Sequence, residues 1–158
     1  MAKIWIKNRQ KQIPTDSRLI RRIASRILGE LALKNSEISI LLLDDQEIAG
    51  LNKQYLDRNG PTDVISFPMT DDEFPGVQPQ LLGDVVISVE TAARQALRRR
   101  CPLYEEIIFL LIHGILHLIG YDHEVSKDEE KRMRTKERAV FKALLSDDRL
   151  QDALISQG

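Results

Sequence analysis

Apolar and polar positions alternate in "KIWIK", with Ile4 and Ile6 on one side and Trp5 on the other, which predicts a short first strand. Past Pro14 the period changes. Leu19, Ile20, Ile23, Ile27 and Leu31 recur at helical spacing, Thr15 or Asp16 stands where a cap belongs, and Arg18, Arg21, Arg22 and Arg26 fall off the apolar stripe. "EISILLL" is a second strand, and Asp44 or Asp45 after it caps a helix that runs to about Tyr55. "DRNGPTD" reads as a turn, "VISF" as a third strand stopped by Pro68, and "LGDVVISVE" as a fourth that leads straight into the helix "ETAARQALRRR". Pro102 opens a further helix, Leu103 to Leu118, which is apolar nearly all round beyond Tyr104-Glu105-Glu106 and so belongs in the centre of the fold. Ser126-Lys127-Asp128-Glu129 has the capping-box pattern for a last helix ending near Leu145.

These elements predict one α+β domain over residues 1–158, with about four strands in one sheet and about five helices. Residues 146–158 read as a frayed polar tail. The irregular stretch from Met69 to Gln80 either gates a site or simply joins two strands. Composition changes this picture little: 42% apolar and 30% charged residues are ordinary for a globular chain. A formal charge of −1 excludes a globally basic nucleic-acid binder, so any such surface must be a local patch. A single cysteine, Cys101, excludes an intramolecular disulfide and fits a reducing compartment. With no apolar run of signal-peptide or membrane-spanning length, the expectation is a cytoplasmic protein with no membrane partner.

The candidate chemistry lies in "HGILHLIGYDH", which holds all three histidines of the chain. His113 and His117 are one helical turn apart, about 6 Å along the axis, and share a face. Gly120 stands where a helix-ending glycine would let the chain turn back and return His123 to the same ion. Two unpartnered imidazoles in an apolar helix would each cost roughly 1–3 kcal/mol, a cost that a cation removes. Three neutral nitrogen ligands with a fourth position open describe a catalytic zinc site rather than a closed structural one. The spacing is that of metzincin proteases, but their general-base glutamate is replaced here by Gly114, which cannot accept a proton.

"HGILHLIGYDH" resembles the signature of the YbeY family of bacterial metal-dependent endoribonucleases. "LNKQYLDRNGPTDVISFP" and "LLGDVVISVETAARQA" are similar to its other two characteristic segments, in the same order. The resemblance implies a small mixed sheet packed with helices around the metal helix, with His113, His117 and His123 as ligands of one Zn2+. It implies cleavage of single-stranded RNA in ribosomal RNA maturation, at the 3′ end of the small-subunit RNA, and in ribosome quality control. The ribosome or ribosomal proteins are the implied partners. One departure stands out: the family arginine after the tyrosine of the "LN..Y" segment is replaced by Leu56. Arg58, two places on, either restores that charge or is a solvated turn residue.

The expected catalytic residues are His113, Asp122 and Arg58, Asp122 either serving the adjacent ligands or forming the turn. A polyanionic substrate needs a positive rim. Arg94, Arg98 and Arg99, with Arg100, are the first candidates and Arg21, Arg22 and Arg26 the second, although helix surfaces carry arginine routinely. The competing readings are a non-cleaving, metal-stabilised ribosome-assembly factor and, less favoured, a metallopeptidase.

Overall fold

The structure, a computed structural model, describes residues 2–69 and 80–157, so most of the loop of residues 69–80, and with it the gating question, lies outside the described residues. The elements are β1 (Lys3–Asn8), α1 (Ser17–Glu30), β2 (Ser36–Leu43), α2 (Asp45–Leu56), β3 (Val64–Pro68), β4 (Gln80–Ser88), α3 (Val89–Arg99), α4 (Leu103–Leu118), α5 (Lys127–Leu145) and α6 (Asp148–Gln157). Side-chain oxygens of Asp16, Asp44, Ser88 and Ser126 accept first-turn N–H groups of α1, α2, α3 and α5, which is why those helices begin where the sequence places them. Ser88 is both the last residue of β4 and the cap of α3, so the strand passes into the helix without a loop.

The strands form one mixed sheet in the order β1-β2-β4-β3. β1, β2 and β4 run parallel, and β3 lies antiparallel to β4 at the edge. Because side chains alternate across a sheet, Ile38, Ile40, Leu42, Val85 and Ile87 join the buried residues of α1 and α4 in the main core. Ile65 and Val86 point the other way and pack with Leu43 and Ile48 of α2. Helix α4 contributes ten buried residues, including Ile107, Ile108, Leu111, Ile112, Ile115 and Leu116. It is the central helix its composition predicts.

Gly114 explains how close that helix comes to the sheet. A Cβ at Gly114 would lie 2.7 Å from Val85 Cγ1, 3.2 Å from Ser66 Oγ and 3.3 Å from Val64 Cγ2. The Ser66 hydroxyl donates to the Gly114 carbonyl at 2.8 Å, tying β3 to the helix at the same point. The position facing the sheet therefore has no room for a side chain, let alone a glutamate.

One expectation needs correction: the helices among the described residues number six, because the tail beyond residue 146 is not frayed. It forms α6, whose Leu150 is buried while Ala153 and Leu154 pack against the main core. Asp147 fixes the start of this helix by accepting from Arg26 Nε at 2.6 Å and from the Leu150 N–H at 3.2 Å. The polar composition hid a short amphipathic helix held by a distant ion pair.

Gly114→Ala is expected to lower stability despite alanine's helix propensity, worth about 1 kcal/mol, because the added methyl meets a fully buried valine and overpacking costs about 1–3 kcal/mol. A thermal melt reads the sign: an unchanged or raised midpoint would mean that the helix has slack against the sheet.

Candidate metal centre

His113 and His117 project from α4 on one face, and their Nε2 atoms are 3.1 Å apart. The helix ends at Ile119, and Gly120 takes φ 103°. Gly120 N–H donates to the His117 carbonyl at 3.2 Å and Tyr121 N–H to the Leu116 carbonyl at 3.0 Å, the paired bonds of a Schellman stop. Beyond it Asp122 Oδ1 accepts the Glu124 N–H at 2.8 Å, forming a turn that returns His123 toward the other two rings. The His123 ring centroid lies 5.3 Å from that of His113 and 5.1 Å from that of His117. One nitrogen from each of the three residues lies within 4.8 Å of the others.

The tautomers follow from the outer partners. His113 Nδ1 is 2.5 Å from Glu137 Oε1, and His117 Nδ1 is 2.9 Å from the Tyr121 carbonyl oxygen. A carboxylate and a carbonyl only accept, so both Nδ1 atoms carry the proton and both Nε2 atoms present lone pairs to the shared centre. Tetrahedral zinc with nitrogen ligands at about 2.0–2.1 Å has ligand–ligand edges of roughly 3.3 Å, close to the observed Nε2 separation. The donor set therefore fits a divalent cation of zinc's kind. Burial, and then the neighbouring His113 and His123, lowers the pKa of His117 below the ordinary 6.5, which keeps its lone pair available at neutral pH. His123 is 42% exposed, so the third side of the trio opens to solvent.

Sequence reasoning missed Glu137. It stands on the buried stripe of α5 with Met133, Val140 and Leu144, and an acid on an otherwise apolar stripe was the available signal. The Tyr121 ring is held to α5 by the Arg132 guanidinium, 4.5 Å from its centroid, which steadies the turn that carries His123. Asn52 was also missed: it is buried, and its Nδ2 donates to the Gly60 carbonyl at 3.0 Å, pinning the loop after α2. From that loop Arg58 reaches Glu124 at 3.8 Å, while Glu124 is 3.8 Å from His123 Nε2. Arg58 is thus brought beside the trio, and Leu56 is 45% exposed. Asp122 adopts the turn role, with its carboxylate on a backbone N–H.

The arginines of α3 are not gathered at the trio. Arg94 pairs with Asp45 at 2.7 Å, within a network in which Ser88 and Thr91 also donate to that carboxylate. Arg99 pairs with buried Glu106 and lies over the Phe109 ring. Arg98 has no ion pair among the described residues. Arg26 is committed to Asp147 and Glu30. A cavity of about 900 Å³ lies at the other end of α4, where Pro14, Tyr104 and Leu154 line it, and its lining includes no histidine.

A mixed sheet carrying a central helix whose histidines form a candidate metal centre, open on one side and without a helical base, defines an architecture distinct from the helix-glutamate peptidases. Residues 5–145 match the endoribonuclease YbeY family. An endoribonuclease YbeY from Syntrophus aciditrophicus is 47% identical over 139 residues, 87% of each chain. Its namesake from Geobacter metallireducens is 44% identical over 143 residues, 90% of this chain and 95% of that one. A solution structure from Thermotoga maritima shares the fold, with a TM-score of 0.60 at 24% identity over 89% of this chain and 87% of that one. The chain belongs to the endoribonuclease YbeY family.

Glu137→Ala removes the acceptor that orients His113 and is expected to weaken zinc binding by about 10–100-fold, with Glu137→Gln losing less. Competition with a chromophoric chelator measures both. Protons compete with the cation for the same lone pairs, so apparent affinity is expected to decline on acidification. The lowered pKa of His117 delays its share of that decline to below 6.5. A zinc titration series across that range reads the sign, and tighter binding at acid pH would contradict it.

Proposed function

We propose that the protein is a metal-dependent endoribonuclease that cuts single-stranded RNA, with zinc at His113, His117 and His123. Its substrate is ribosomal RNA at the 3′ end of the small-subunit species, met in the cytoplasm on or near the ribosome and ribosomal proteins, where cleavage also serves ribosome quality control. Family membership supports the reaction class. The observation that carries the reading is the pair of Nε2 lone pairs converging at 3.1 Å beside an exposed third ring. No single helix among the described residues is long and apolar enough to cross a membrane.

A zinc ion held there would supply Lewis acidity, polarising a phosphoryl oxygen and acidifying water. The chain's own residues do the rest. Glu137 and the Tyr121 carbonyl keep the two helical imidazoles neutral and aimed at the centre. Asp122 positions His123 through the turn it forms. Arg58 lies on the open side, where a guanidinium can meet the negative charge that grows on phosphate in the transition state. Its pair with Glu124 is exposed on both sides, weak enough to exchange for a phosphate. Arg98 supplies phosphate contacts from α3, with Arg94 and Arg99 joining it only if they leave Asp45 and Glu106. The metallopeptidase reading finds no base at position 114, and the packing of that glycine leaves no place for one.

A time course on defined single-stranded RNA tests the proposal. Cleavage is expected to stop with chelator and in His117→Ala, and to return on adding zinc to the wild-type protein. A 2′,3′-cyclic phosphate at the new end identifies the RNA's own 2′-hydroxyl as nucleophile, a 5′-phosphate identifies water. Undiminished cleavage by folded His117→Ala would refute the assignment. A metal-site variant that cuts nothing in vitro yet still matures ribosomal RNA in cells would favour an assembly factor that binds without cutting.

A further inference from the structure

Helix α5 carries a second feature that the metal centre does not use. Lys127, Lys131, Arg134, Arg138 and Lys142 follow one another at intervals of three or four residues, and all are exposed. At about 100° per residue they fall within an arc of about 80° and run for about 22 Å along the helix. No carboxylate of α5 lies inside that arc; Glu130 and Asp128 flank it, each about 40° outside. Arg134 pairs with Glu130 at 2.5 Å, both side chains being exposed, and the other four cations have no ion pair among the described residues. In a chain of formal charge −1 this is segregation of charge, not a share of a general excess. The stripe adjoins the centre. It begins four residues beyond His123, and Arg138 is the chain neighbour of Glu137, whose carboxylate holds His113. Arg138 also lines one cleft with Arg99, which brings the arginine-rich end of α3 to the same side of α5.

What the stripe lacks decides its partner. None of the exposed large apolar side chains among the described residues belongs to α5. A protein interface needs an apolar or aromatic anchor near its centre, and a membrane-surface helix needs one to insert. A row of cations without an anchor suits a polyanion held by its backbone. We propose that the α5 stripe is the track for the phosphate backbone of single-stranded RNA on its way to the metal centre; the proposal rests on the ribonuclease reading above. Lys127, Lys131, Arg138 and Lys142 meet phosphates, and Arg134 joins them by exchanging Glu130 for a phosphate, since an exposed pair is weak. Such contacts position the strand without reading its bases. A stripe that only kept α5 soluble would contribute no more to RNA affinity than cations elsewhere on the surface.

The test uses the full chain and a defined single-stranded RNA, with chelator present so that cleavage is silent and affinity is read by fluorescence anisotropy over a salt series. Lys131→Gln, Arg138→Gln and Lys142→Gln together are expected to flatten the slope of log K against log salt by about 2, roughly 0.7 for each lost phosphate contact. Lys3→Gln, Lys7→Gln and Lys11→Gln remove the same charge around the first strand and are expected to leave most of the slope in place. An unchanged slope in the α5 variant, or equal flattening in both variants, would overturn the track. So would an α5 variant that loses binding to anionic lipid vesicles while its RNA binding stays intact. Zinc affinity of the α5 variant is expected to match the wild type. If it falls, the neighbourhood of Glu137 is damaged, and Lys131→Gln with Lys142→Gln decides instead, through a flattening of about 1.4. Cleavage is scored separately, without chelator. Wild-type cleavage with an unaltered slope in the α5 variant sinks the track and spares the nuclease, whereas a flattened slope in a chain that never cuts does the reverse.

Discussion

The contact between Gly114 and the side chains of Val85, Ser66 and Val64 sets the rotation of α4, and the geometry of the centre follows from that rotation. With residue 114 turned toward the sheet, residue 113 points about 100° around the helix axis, and His117 follows it one turn later. That face meets α5, so His113 finds Glu137 rather than the apolar core. The bond from Ser66 to the Gly114 carbonyl secures the edge strand β3 to the helix at the same level. A single missing side chain thus decides which way two histidines look and why the familiar base of related spacings has no place here.

The polar partners then determine what those rings can do. A carboxylate from α5 and a carbonyl from the turn after α4 accept from the two Nδ1 atoms, so the helical pair present Nε2 together. Glu137 is itself only 10% exposed, and a buried acid of this kind is tolerated because it has a donor. The turn that returns His123 depends on local chemistry: a glycine at positive φ, two backbone bonds that close the helix, and the Asp122 carboxylate on the next amide. Rigid outer partners and one exposed ring give a centre that is oriented yet accessible.

Much of this was written locally in the chain. The limits of α4, its glycine stop and the spacing of the histidines can be read directly, because helical period and turn chemistry act over a few residues. The individual strands and the caps at Asp16, Asp44 and Ser126 were legible for the same reason. Glu137 was not, because it meets His113 from 24 positions away and only its place among Met133, Val140 and Leu144 betrayed it. Helix α6 was hidden because its anchor, Arg26 with Asp147, spans 121 positions. The pairing within the arginine cluster of α3 was only partly legible. Clustering shows charge, but Asp45, which engages Arg94, lies far away in the sequence, while Glu106, which engages Arg99, stands on the next helix.

The bond between Glu137 and His113 joins two helices at one of the three clustered histidines. A cation on those rings would be bound only by the folded chain, since unfolding parts α4 from α5 and scatters the donors. Any such cation therefore adds RT ln(1 + [L]/Kd) to the free energy of unfolding. The chain's resistance to proteolysis in the cell would then rise and fall with free metal supply, making its abundance a readout of metal nutrition as well as of its own synthesis.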